Sequence, residues 1–257
     1  RRFNLENHLE KYVKKLMQML STLVVFYGAA CVVSTAALAE DKKTGTAIEG
    51  MSDQEFISRF RTFWYQQATK NGMMKNNYLG VLTWQNPMDV WITQEVMYEV
   101  KPDVVVEAGT FRGGSAALWA TFLAQVNPDG RVITIDIKDK RTEQAKNLPI
   151  VKEHVTFLLG SSSGAEVVKQ VKAAVKGKRA LFILDSAHTY EHVLSELRAY
   201  ADMVPVGSYI IVQDTLGTGA LKAIIEFLEE NDNYETDKDR ERLLISNNVG
   251  GYLKRIK

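Results

Sequence analysis

From residue 103 onward the chain alternates short, nearly unbroken apolar runs with longer segments in which apolar side chains recur every three or four positions. The runs are Val104-Val105-Val106, Val132-Ile133-Thr134-Ile135, Val155-Thr156-Phe157-Leu158, Leu181-Phe182-Ile183-Leu184 and Tyr209-Ile210-Ile211-Val212. A strand that is apolar at consecutive positions has no solvent face, and these are rich in β-branched residues, so each run predicts a strand covered on both sides. Four helical segments separate the five runs. That alternation predicts an α/β fold with a mostly parallel, doubly wound sheet and helices on both faces. Ligands of such sheets bind beyond the carboxyl ends of the strands, at the point where the strand order reverses, so candidate chemistry belongs just after each run.

Upstream, Ser52 or Asp53 can cap a helix carrying Phe56, Phe60, Phe63 and Trp64 at helical spacing. The stripe is expected to face the core, with any exposed part free for a subunit contact in a homo-oligomer. After a loop containing Asn71-Gly72 and Asn76-Asn77, Pro87 opens a second helix through Trp91, Val96 and Met97 that ends near Lys101-Pro102. At the beginning of the chain, Lys11, Lys14 and Lys15 precede an uncharged stretch from Leu16 to Ala39 that closes with Ala37-Leu38-Ala39. This is the layout of a signal peptide, and the length also suits a membrane anchor; a buried helix is the plainer alternative. Gly28-Ala29-Ala30-Cys31 has the outline of a lipoprotein site, with Gly28 where an aliphatic residue is wanted. The expected organisation is a targeting or anchor segment over 1–39, with membrane contact through residues 11–39, and a linker over 40–51. A folded domain is expected over 52–257, divided into a helical cap at 52–102 and a core at 103–257. Export to the periplasm or anchoring is expected if the first segment belongs to the working protein, and a cytoplasmic location if it does not.

Composition narrows the partners. Hydrophobic residues at 46% and charged residues at 25% describe an ordinary globular chain. Lys plus Arg number 32 against 31 Asp plus Glu, a net charge of +1, which leaves no broad basic field for a phosphate backbone and argues against nucleic acid. With one cysteine, Cys31, neither an intramolecular disulfide nor a Cys-clustered zinc site can form.

The strand ends carry the chemistry. After the first run, Glu107-Ala108-Gly109-Thr110-Phe111-Arg112-Gly113-Gly114-Ser115 leads into a helix. Glycines allow a tight turn and close approach of a ligand, and the helix N-terminus offers free N–H groups. The spacing departs from the dinucleotide fingerprint Gly-x-Gly-x-x-Gly. Glu107 before the first glycine suits a methionine-sulfonium cofactor, whose amino group it would hold indirectly; a plain tight turn is the alternative. Asp136, ending the second run, can accept both ribose hydroxyls of an adenosine or remain a solvated loop residue. Gly160-Ser161-Ser162-Ser163 can border an adenine ring or serve only as a helix cap. Asp185 and Asp214, ending the fourth and fifth runs, would stand on neighbouring strands, where two oxygen donors suit Mg2+; alternatively each only caps the segment after it. His188, beginning a helix at a strand end, can remove a hydroxyl proton from an acceptor. His192, one turn further, reads as a surface or satisfied core histidine.

Taken together, Trp84-Gln85-Asn86-Pro87-Met88-Asp89, the loop Glu107 to Ser115, Ile135-Asp136, Gly160-Ser161-Ser162, the block Leu184-Asp185-Ser186-Ala187-His188-Thr189-Tyr190-Glu191-His192 and the closing Gly250-Gly251-Tyr252-Leu253-Lys254-Arg255 resemble the cephalosporin hydroxylase and rhamnosyl or macrolide-sugar O-methyltransferase family. The resemblance implies a Rossmann-like class I methyltransferase fold. It implies S-adenosylmethionine as cofactor, with Glu107, Gly109, Arg112, Gly113, Gly114, Ser115, Asp136, Gly160, Ser161, Ser162 and Asp185 around it. It further implies Mg2+ on Asp185, position 213 and Asp214, His188 as general base, and a small-molecule hydroxyl as acceptor. Gln213 stands where the family has Glu, which keeps an oxygen donor but removes a negative charge. Two other roles remain open: an accessory or hydroxylase-type member needing a partner enzyme for oxidation, and a binding module that holds the cofactor without turnover.

Overall fold

The computed structural model describes residues 50–72 and 75–257. The expected targeting segment and nearly all of the linker lie outside them. Among the described residues no helix is long and apolar enough to cross a membrane.

All five apolar runs form strands: β3 (Val104–Ala108), β4 (Arg131–Asp136), β5 (Val155–Leu159), β6 (Ala180–Leu184) and β7 (Tyr209–Val212). Before them come a two-residue hairpin, β1 (Asn77–Tyr78) with β2 (Val81–Leu82), and after them β8 (Tyr234–Thr236) and β9 (Tyr252–Arg255). The main sheet has the order β5-β4-β3-β6-β7-β9-β8. Its first five strands are parallel, and β9 runs antiparallel to both β7 and β8.

The helices are α1 (Asp53–Lys70), α2 (Pro87–Val100), α3 (Gly114–Val126), the short pair α4 (Glu143–Asn147) and α5 (Pro149–His154), α6 (Ala165–Val175), α7 (Tyr190–Tyr200) and α8 (Ala220–Glu230). Successive strand side chains point to opposite faces, so each strand feeds two cores. Val106, Phe182 and Ile210 pack with Val171, Leu197 and Phe227 of α6, α7 and α8. Val105, Leu181 and Ile211 pack on the other side with Ile92 and Met97 of α2 and Trp119 of α3. Ile92, Val96 and Met97 thus pack α2 against one face of the sheet.

The order reverses at β3, whose neighbours are β4 and β6. Register brings the strand tips level: Ala108 lies opposite Ile135 and Leu184, and Leu184 opposite Val212. Gly109, Asp136, Asp185 and Gln213, at or just beyond those tips, therefore emerge along one edge.

The aromatic stripe of α1 departs from expectation. Ser52 caps the helix by accepting from the Glu55 N–H at 3.3 Å, yet α1 contains no buried residue. Phe56 and Phe60 stack on one another with centroids 6.0 Å apart and are 40% and 39% exposed, facing away from the core. The spacing identified the helix but carried no information on which side faces inward.

Candidate active site

The tips of β3 and β6 touch. The Asp185 N–H donates to the Ala108 carbonyl at 2.8 Å, and Gly109 adopts φ 98°. A Cβ at position 109 would lie 1.9 Å from the Asp185 carbonyl oxygen, so only glycine permits the approach. Gly113 and Gly114 begin α3, with Gly114 pressed against the Leu82 carbonyl of the hairpin.

Behind this turn, Glu107 is fully buried; it accepts from Trp119 Nε1 at 2.9 Å and Thr134 Oγ1 at 2.5 Å. Burial pushes its carboxyl up to about 7 despite those donors. Asp136 accepts from the Phe111 and Lys138 N–H groups at 2.9 and 3.1 Å, which ties the tip of β4 to the glycine turn.

Above the tips lies a cavity of about 700 Å³ whose wall includes Gly109, Ser115, Asp136, Gly160, Ser161, Ser162, Asp185, His188 and Asp214. Glu107, Arg112, Gly113, Gly114 and Gln213 are not on that wall. Arg112 is exposed, its guanidinium 5.3 Å from the centroid of the Phe111 ring, and Phe111 in turn stacks on Trp84 at 4.5 Å.

At one end of the cavity Asp185, His188 and Asp214 converge, with one donor atom from each within 4.8 Å of the others. His188 Nε2 lies 3.7 Å from Asp185 Oδ1 and 3.5 Å from Asp214 Oδ2. Neither carboxylate caps a helix: Thr189 caps α7 and Gly219 precedes α8. Burial, reinforced by Asp214 and Glu107, holds the Asp185 carboxyl well above the usual range. Gln213 is 4% exposed; its Oε1 accepts from Gln85 Nε2 at 2.9 Å, and its Nε2 has no hydrogen-bond partner among the described residues. The same Gln85 amide donates to Asp185 Oδ2 at 2.8 Å.

Several contributors are given no role by the sequence patterns, although Asp89 closes the Trp84–Asp89 block. Asp89 on α2 is buried and accepts from Ser246 Oγ, the Asn247 N–H and Tyr252 OH at 2.6, 2.8 and 3.0 Å, anchoring the loop before β9. Burial raises its carboxyl to about 6. From that loop Asn247 Nδ2 donates to Asp214 Oδ1 at 3.3 Å, and Asn248 Oδ1 accepts from the Asp214 N–H at 3.2 Å. Asp214 itself has φ 50°, a left-handed conformation that this clamp holds.

On the opposite side, buried Glu196 gathers Ser162 Oγ, Ser186 Oγ at 2.7 Å and His192 Nε2 at 3.2 Å onto a single oxygen. The serine loop is therefore not a helix cap; α6 begins at Gly164 without a side-chain cap. His192 is partnered as expected of a satisfied histidine, yet it also lines the cavity, and its hydrogen bond to Glu196 raises its pKa. An acidic residue in the middle of an amphipathic helix was the available signal for Glu196. The pairing of Asp89 with residues some 157 positions away offered none.

A second cavity, of about 680 Å³, opens beside the first; Tyr65, His188, Asp214 and Asn247 line both.

A seven-stranded sheet in this order, with the cavity over the tips of its central strands, is the class I methyltransferase fold. Residues 70–256 match the family described as Rhamnosyl O-methyltransferase/CmcI, and the chain belongs to that family. The rhamnosyl O-methyltransferase of Mycobacterium tuberculosis is 32% identical over 182 residues, covering 65% of this chain and 72% of that protein. The Mycobacterium leprae protein of the same name is 28% identical over 179 residues, covering 64% and 76%. Among solved structures, CmcI with Mg and SAM superimposes with a TM-score of 0.60 at 19% identity, over 72% of this chain and 78% of that one. The O-methyltransferase NovP gives 0.51 at 15% identity, over 78% and 99%. Both structural likenesses are in fold.

Proposed function

We propose that this chain is an S-adenosylmethionine-dependent O-methyltransferase that employs Mg2+ and acts on a hydroxyl group of a small molecule of sugar or natural-product type. The observation that carries the proposal is the convergence of Asp185, His188 and Asp214 at the meeting of two cavities. The donor set suits the groups invoked. Two carboxylates offer the hard oxygen donors that Mg2+ prefers, with room for water to complete its shell. Asp136 spends one lone pair of each oxygen on a backbone N–H, and an ionised carboxylate has about four acceptor sites, so capacity remains for ribose hydroxyls.

When bound, S-adenosylmethionine supplies an electrophilic methyl group, and Mg2+ supplies a Lewis acid for the acceptor oxygen. The chain's own residues do the rest. Ser161 and Ser162 border one end of the first cavity, and Glu196 keeps the Ser162 loop fixed to the Ser186 loop. Asp185 and Asp214 would hold the cation. His188 Nε2 takes the proton that leaves the acceptor hydroxyl as the oxygen gains the methyl group. Gln85 and Asn247 orient the two carboxylates by donating to them.

Calorimetry with S-adenosylmethionine and Mg2+ tests the reading, with heat expected for each; no heat with either removes it. His188→Ala is expected to lower turnover by about 10²- to 10⁴-fold while leaving cofactor affinity intact. A second reading, a cofactor-holding module without turnover, is favoured by the neutral Gln213 beside Asp185. An inert native chain that gains methyl transfer on Gln213→Glu would select it, and turnover by the native chain would eliminate it.

A further inference from the structure

We propose that His192 is a cofactor-binding residue that reads the base by accepting a hydrogen bond from its exocyclic amino group, a proposal that rests on the methyltransferase reading above. His192 lines the first cavity together with Asp136, Ile137, Gly160 and Ser162. Asp136 marks the ribose end of the proposed cofactor site, and β5 is the strand beside it. The loop after β5, and the imidazole that meets this loop at Ser162, are therefore placed within reach of a base attached to that ribose. Ile137 and Ala187, on the same wall, offer apolar surface to the faces of a flat ring. What the wall needs in addition is a polar group that distinguishes one base edge from another.

The hydrogen bonds around His192 fix which of its nitrogens accepts. Ser162 Oγ donates its one proton to Glu196 Oε1, so toward His192 Nε2, 3.1 Å away, it can only accept. Glu196 Oε1, 3.2 Å from the same nitrogen, is an acceptor as well. Nε2 must therefore carry the ring proton, which leaves Nδ1 of the neutral imidazole as a bare acceptor. Nδ1 has no hydrogen-bond partner among the described residues. The ring is not a loose surface group: its side chain is 25% exposed, and the Glu196 side chain that holds it is 1% exposed. Glu196 is a positioning residue that is poorly satisfied itself. Ser162, Ser186 and His192 all converge on Oε1, while Oε2 is buried without a hydrogen-bond partner among the described residues. That arrangement lowers stability, and what it secures is the tautomer and direction of the imidazole. Once joined to ribose, adenine has a single N–H donor, its 6-amino group, and its remaining ring nitrogens accept. A nitrogen lone pair held in this way complements the amino group and opposes a carbonyl oxygen in the same position.

The test is calorimetry on the full chain with S-adenosylhomocysteine and with S-inosylhomocysteine, which has a carbonyl oxygen in place of the 6-amino group. The hydrogen bond to Glu196 raises the pKa of the ring, so the titrations are made at about pH 8.5, on the neutral form. We expect the native chain to bind S-adenosylhomocysteine at least about tenfold more tightly than the inosyl analogue. His192→Ala is expected to bring the two affinities within about twofold of each other by weakening S-adenosylhomocysteine, with the far-ultraviolet circular dichroism unchanged. A measurement on the native chain needs no variant. Of its four histidines, one should show the proton on Nε2 in nitrogen-15 correlation spectra, with an Nδ1 resonance that moves on adding S-adenosylhomocysteine. Equal affinity of the native chain for the two ligands, discrimination that survives His192→Ala, or an Nδ1 resonance that does not respond would each overturn the proposal. Loss of turnover in His192→Ala at unchanged S-adenosylhomocysteine affinity would overturn it too and assign the residue to proton transfer. No binding of S-adenosylhomocysteine to the native chain is a different outcome, which removes the cofactor reading and the proposal with it.

Discussion

Glu107 and Asp89 are carboxylic acids placed where water does not reach, and burial pushes them up to about 7 and about 6. The folded chain therefore holds protons that the unfolded chain releases nearer pH 4. The associated stability is fully present below the unfolded values and is lost as pH rises through about 6 for Asp89 and about 7 for Glu107. We expect the thermal midpoint to fall between pH 5 and 8, each group contributing at most about 1.4 kcal/mol per pH unit. Glu107→Gln should flatten the upper part of that profile in calorimetric scans; an unchanged slope would mean that Glu107 is not the titrating group. Gln213 poses the complementary question. Its Nε2 is buried without a hydrogen-bond partner among the described residues, so Gln213→Glu breaks no hydrogen bond at that atom and should add a negative charge beside Asp185 and Asp214 when a cation is bound. Mn2+ binding measured by electron paramagnetic resonance should tighten by about tenfold, equivalent to about 1.4 kcal/mol. Equal affinity would mean that position 213 does not reach the cation.

Elements were legible in proportion to how locally they are determined. The five parallel strands could be read because short β-branched apolar runs between helical segments favour strands, and the residue after the last apolar position emerges at the ligand-binding edge. The expected cover on both faces holds for β3, β4, β6 and β7, whereas β5, at the sheet edge, contains no buried residue. The helix expected between β4 and β5 is broken into α4 and α5 at Leu148-Pro149, and β1, β2 and β8 are too short for periodicity to register. The orientation of α1 was not legible, since its periodicity defines two faces and only the surrounding fold assigns them. The clamp on Asp214 was equally hidden, because it joins α2 to the loop before β9 through single hydrogen bonds. Asn247→Ala should therefore weaken Mg2+ affinity several-fold with little change in S-adenosylhomocysteine affinity, and equal loss of both would instead indicate collapse of the edge. At the junction of β3 and β6, Gly109→Ala forces a Cβ onto a carbonyl oxygen at positive φ and should cost about 3 kcal/mol or more in denaturant unfolding.

On the scale of the whole molecule, the first cavity, the proposed cofactor site, borders five strand tips that the sheet holds in register, so occupying it should stabilise the entire domain. At a concentration one hundred times its Kd, S-adenosylhomocysteine should add about 2.7 kcal/mol. For a domain of this size that corresponds to roughly 5 to 10 °C in Tm, and a shift confined to local protection in hydrogen exchange would contradict it. The attachment of α1 has the opposite character. It contains no buried residue, and Arg61 ties it to the Leu244 carbonyl and Glu241. Substitutions along its exposed face remove no core packing, so the helix can change in sequence while the sheet and its strand tips stay intact. Drift in this helix is therefore expected to carry little penalty: Phe56→Ser, at an exposed position, should leave the thermal midpoint within about a degree of the native value.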